Sequence, residues 1–145
     1  MINPRYKHVL SIKYYVFSMT ELKTKIESFT DLKTWQKGHE LVLDIYKTTE
    51  KLPSKEVFGI TNQMRRAAVS ITSNIAEGFS RRSNKEKAQF YYMALGSLTE
   101  LQNQLIIARD INYIDSGNFN RVSQQTIVVS KLINGLIKSS SILNT

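Results

Sequence analysis

Apolar residues recur at steps of three and four along most of this chain, and four separate stretches carry that period. The first runs from about Asp31 to Lys51. Leu32, Trp35, His39, Val42 and Tyr46 form its stripe, widened by Leu41 and Ile45. Thr30 or Asp31 can cap its start, and Leu52-Pro53-Ser54 ends it, because proline cannot extend the hydrogen-bond ladder. The second runs from about Glu56 to Gly78, with Val57, Ile60, Met64, Ala67, Ile71 and Ile75 inward and Gly78 as a C-terminal stop. The third opens on Ser83-Asn84-Lys85-Glu86, a capping box whose hydroxyl and carboxylate satisfy free amides reciprocally. Phe90, Ala94, Leu98, Leu101, Leu105 and Ala108 carry it to about Ile111.

After a turn over Asn112 to Asn118, the fourth stretch runs from about Phe119 to Ser140, with Phe119, Val122, Val129, Ile133 and Leu136 inward. Its run Ile127-Val128-Val129 is poor for an isolated helix, which implies burial on more than one side. Four such stretches joined by short links predict an all-α, up-down-up-down antiparallel four-helix bundle over residues 29–145. Residues 1–28 break the pattern. Tyr14, Tyr15, Val16 and Phe17 are strand-like, and the segment reads as a weakly structured extension, with Met19 a candidate start.

Composition narrows the function. The chain has 145 residues and no cysteine, so disulfide, thiolate-zinc and thiol chemistry are excluded; a reducing, cytoplasmic setting is the expectation. No stretch approaches the roughly 18 apolar residues of a membrane span. A net charge of +8 favours a polyanionic partner.

Chemistry-bearing sets are few. A di-iron bundle requires Glu-x-x-His on two helices, and neither His8 nor His39 has glutamate three residues earlier. No nucleophile elbow, phosphate loop or dinucleotide fingerprint is present, so no catalytic residues, metal or cofactor are expected. Ser70, Asn74 and Glu77 share one helix face, with Ser73 beside them. They suit a buried polar network or a subunit contact; the competing reading is a cation or acid–base site. The stronger functional set is basic. Arg65, Arg66, Arg81, Arg82, Lys85 and Lys87 stand against only Glu77 and Glu86 between positions 65 and 87. Arginine suits phosphate oxygens through bidentate hydrogen bonds. The competing reading is a solvated face with ion pairs, Arg65 pairing with an acid on a neighbouring helix.

The run from Gln63 to Gly78, with Arg65-Arg66-Ala67-Ala68-Val69-Ser70-Ile71 and Ser73-Asn74-Ile75-Ala76-Glu77-Gly78, resembles the signature of the bacterial four-helix-bundle proteins encoded in 23S rRNA intervening sequences. Phe29, Asp31-Leu32 and Trp35-Gln36 resemble that family's opening. Tyr46, Pro53 and Glu56, then Gly96-Ser97-Leu98 and Glu100-Leu101, follow in order, so the likeness spans roughly 29–140. Thr72 departs from the pattern, which usually has proline there. The resemblance implies a homopentamer, kinship with the accessory proteins of diversity-generating retroelements, and no enzyme activity. It implies partners of two kinds: structured RNA or DNA, and a protein such as a reverse transcriptase or other nucleic-acid enzyme. Arg81, Arg82, Lys85 and Lys87 are the residues expected to hold nucleic acid.

Overall fold

A computed structural model describes residues 25–142, so the expected N-terminal extension lies almost wholly outside the described residues. Four α-helices are present: α1 Lys33–Thr49, α2 Ile60–Ser80, α3 Asn84–Asp110 and α4 Ser116–Ile142. Short 3-10 turns, Phe29–Asp31 and Ser54–Glu56, precede α1 and α2, and the described residues contain no strand.

Each helix packs on two neighbours, α1 on α2 and α4, and α3 on α2 and α4, with no diagonal pair. Facing residues show that neighbours run antiparallel. Gly38 of α1 faces Thr72 and Ile75 of α2, while Arg65 of α2 reaches back to Thr49. Ser70 meets Ser97 across α2 and α3, Gln102 meets Thr126 across α3 and α4, and Thr34 meets the Leu132 carbonyl across α1 and α4. Leu41, Ile45, Met64, Ile71, Ile75, Leu98, Leu101, Leu105, Val122, Val129 and Ile133 fill the centre.

The α1 stripe is rotated from the expected one. Thr34, Gly38, Leu41, Ile45, Thr48 and Thr49 are buried, whereas His39 and Tyr46 are exposed and Trp35 and Val42 only half-buried. The reason is close packing. A Cβ on Gly38 would stand 3.1 Å from Thr72 Cγ2, so α1 presents its smallest residue to α2 and turns its aromatics to the rim. Trp35 there stacks on His39 at 4.9 Å and meets Phe29 edge-on at 5.3 Å.

Three helix ends also differ from expectation. Asp31 does not cap α1; its carboxylate accepts the Ser28 and Glu27 amides and closes the preceding 3-10 turn. Gly78 does not stop α2, which runs two residues further, and no glycine among the described residues has positive φ. Gly78 is a contact residue: a Cβ there would lie 2.6 Å from Tyr91 Cε1. The Ser83–Glu86 box forms on one side only. Ser83 Oγ accepts the Glu86 amide at 3.2 Å, but the Glu86 carboxylate takes the Ser83 hydroxyl rather than its amide. The α3 terminus is closed by Asn112 at φ 61, which lets the Tyr113 amide reach the Ala108 carbonyl at 2.8 Å. Asp115 then accepts the Asn118 amide and starts α4. Of the run Ile127-Val128-Val129, only Val129 is buried; the other two face outward in the single chain.

Candidate nucleic-acid interface

The antiparallel order gathers the end of α2 and the start of α3 at one corner of the bundle, with the start of α1 beside them. Four of the six basic candidates, Arg81, Arg82, Lys85 and Lys87, sit at this corner. Their side chains do different things. Lys87 turns back on α2, donating to the carbonyls of Phe79 at 2.6 Å and Gly78 at 3.4 Å. The Gly78 carbonyl also accepts the Arg81 amide at 3.2 Å, and the Phe79 carbonyl is among the acceptors a helix end leaves free, so Lys87 locks the corner. Half-burial there lowers its pKa, since lost solvation disfavours the ammonium. Arg81 lies 4.5 Å over the Phe90 ring and 3.5 Å from the Glu77 carboxylate. Arg82 and Lys85 are exposed, and neither makes a hydrogen bond or ion pair with a described residue.

The other two candidates lie elsewhere. Arg65 is near the opposite end of the bundle. Its Nε donates to Thr49 Oγ1 at 2.9 Å and its guanidinium lies 4.6 Å over Tyr46. Thr49 in turn donates to the Ile45 carbonyl, so Arg65 closes the end of α1 rather than pairing with an acid. Arg66, the next residue of α2, is exposed.

The polar set is a network, though not with the membership expected. Ser70 Oγ is 2.8 Å from Ser97 Oγ across the α2–α3 seam. Asn74 Nδ2 donates to the Ser70 carbonyl at 2.8 Å and to its Oγ at 3.2 Å. Glu77 stands apart, exposed and directed to Arg81. The network's third member is Ser97, and nothing in the sequence tied it to Ser70, because the link is tertiary. An open groove of about 1030 Å³ runs along this face, lined by Asn62, Arg66, Ser70, Ser73, Asn74, Glu77 and Glu100 among others. Among the described residues no group of three His, Asp or Glu side chains converges as a metal site. No helix there is long and apolar enough to cross a membrane.

A ring of four antiparallel helices with a basic corner and no convergent acid–base set defines a small four-helix-bundle protein. The family model for the 23S rRNA-intervening sequence protein matches residues 30–135, and the chain belongs to that family. Among solved structures it is similar to a protein of unknown function from the S23 ribosomal protein family of Bacteroides thetaiotaomicron. Identity is 22%, coverage is 72% of this chain and 95% of that one, and the TM-score is 0.68, a likeness of fold. No curated protein matches.

Proposed function

We propose that this is a non-enzymatic, homo-oligomeric bundle, assembled as a pentamer, that binds structured RNA or DNA through its basic corner. One observation carries the reading: the fold uses Lys87 and Arg65 internally, yet leaves Arg82 and Lys85 exposed without an acceptor among the described residues. Unpaired like charges repel, so holding them together at a corner favours an external anion. Arg81, which is half-engaged with Glu77, adds to the same field. Arg66 belongs to the α2 groove instead. The outward Leu43, Ile107, Ile127 and Val128 support self-association, since burying them needs another surface.

The test is binding of structured RNA and duplex DNA to the full chain at two salt concentrations. Affinity should fall steeply with salt. Absence of binding at low salt overturns the reading.

A protein-scaffold role is favoured by one observation of its own: Phe58, in the α1–α2 link, is 92% exposed, and Val57 beside it is exposed too. Arg81→Glu with Arg82→Glu separates the two roles. A scaffold keeps its protein partner when nucleic-acid binding is lost.

A further inference from the structure

Lys85 and Tyr92 lie seven residues apart on α3, so they share one side of the helix, about 10 Å apart along its axis. Gln89 sits between them and is also exposed. Arg82 lies just before the helix starts. Tyr92 is 58% exposed and makes no hydrogen bond with a described residue. One turn beyond, Gly96 faces outward, and a Cβ there would meet nothing within 4 Å. Inside a helix an exposed glycine costs about 1 kcal/mol relative to alanine. At Gly38 and Gly78 a neighbouring side chain explains the glycine. At Gly96 no neighbour does. The side of α3 thus presents, in order, two cations, an amide, a bare aromatic ring and a gap.

We infer that this stripe is a single-strand site, in which Arg82 and Lys85 hold phosphates and Tyr92 stacks on an unpaired base. The inference rests on the nucleic-acid reading above and goes further, naming an unpaired segment as the ligand. A duplex offers phosphates but keeps its bases stacked inside, so it can use the cations and not the ring. An unpaired strand uses both. Base–aromatic stacking is insensitive to sequence, because every base has a π-face. The open surface at Gly96 leaves room for the backbone of the next nucleotide to approach α3 closely.

The experiment compares a short oligouridylate with a blunt RNA duplex of equal length, titrated against the full chain and its variants at two salt concentrations. Tyr92→Leu should weaken oligouridylate binding by roughly 5- to 150-fold, the span of one stacked base, and leave duplex binding and the salt slope unchanged. Tyr92→Phe should restore the oligouridylate affinity. Lys85→Gln should weaken both ligands and reduce the single-strand salt slope by about 0.7. Thermal melting of each variant controls for folding. If Tyr92→Leu binds oligouridylate like the parent while Lys85→Gln weakens it, the stacking site is wrong and the basic corner stands. If the parent binds neither ligand at low salt, both readings fall.

Discussion

One end of the bundle binds three arginines into the fold, and the α2–α3 corner binds one lysine and leaves an adjacent arginine and lysine free among the described residues. At the end holding the α1–α2 and α3–α4 links, Arg65, Arg109 and Arg121 are bound into the fold, while Lys47, Lys51 and Lys55 stay exposed. Arg65 closes α1 through Thr49. Arg109 pairs with Asp110 and covers Phe119 at 4.4 Å. Arg121 bridges to Asp44 at 2.6 Å. Glu56 accepts the Tyr113 hydroxyl at 3.0 Å, joining the two links. At the α2–α3 corner, by contrast, Lys87 is spent and Arg81 half-spent, while Arg82 and Lys85 have no acceptor among the described residues. Net charge alone does not reveal this division. Cations count toward a ligand only after the fold's own acceptors have taken their share.

The widest separation between the ends comes from charge reversal. Arg82→Glu with Lys85→Glu should abolish most nucleic-acid binding, lowering the salt slope for duplex by about 2, at roughly 0.9 per lost phosphate contact. Melting temperature should barely change, because both residues are exposed and unpartnered within the described fold. The matched reversal at the other end, Lys51→Glu with Lys55→Glu, should leave binding close to that of the parent. Equal losses from both pairs, by fluorescence anisotropy, would show a diffuse field and remove the distinction.

A smaller effect, on stability, comes from Gly78→Val. Its Cβ would meet Tyr91 Cε1 at 2.6 Å and Cδ1 at 2.9 Å, and the Tyr91 ring is only 4% exposed, so it has little room to yield. Overpacking of this kind costs about 1–3 kcal/mol. Urea unfolding measures it, and an unchanged midpoint would show that α2 and α3 can separate at no cost. Arg65→Met tests the opposite end. Removing the partner of Thr49 and the cover of Tyr46 should cost about 1 kcal/mol and leave nucleic-acid binding intact. Arg82→Met should do the reverse, with stability changed by less than about 0.5 kcal/mol.

Helix number and order were legible because Met64, Ile71, Ile75, Leu98, Leu101, Leu105 and Ile133 repeat with the helix period and are the residues buried. The rotation of α1 was not. Periodicity weighs residues by apolarity, and Trp35 and Tyr46 outweigh Gly38, although only Gly38 is small enough to face Thr72. Gly78 was misread for a related reason: a glycine near a helix end looks like a stop unless the ring it packs against, Tyr91, is known. Within the basic set, sequence could count cations but not the carbonyls that claim them. Lys87 faces the end of α2 only because the corner folds back through Ser83. The Ser70–Asn74 pair was readable from its i, i+4 spacing; Ser97, on another helix, was not.

The finest test concerns pH. Lys87 is half-buried and its pKa is lowered by desolvation, while its hydrogen bonds to the α2 carbonyls favour the charged form and oppose the shift. In the unfolded chain this lysine keeps the ordinary value of about 10.4. Between the lowered folded value and that ordinary one, the unfolded state holds more protons, so stability rises with pH across the window. Below the window both states are charged and the folded state bears the desolvation cost in full. Lys87→Met removes this contribution, so the difference in unfolding midpoint between parent and variant should shift in the parent's favour as pH climbs from neutral toward 10. Arg82→Met, at an exposed cation five residues earlier, should show no such trend. Parallel pH profiles for the parent and Lys87→Met would mean that the ammonium is fully solvated. The corner would then hold three available cations, and the contrast between the two ends would rest on Arg65, Arg109 and Arg121 alone.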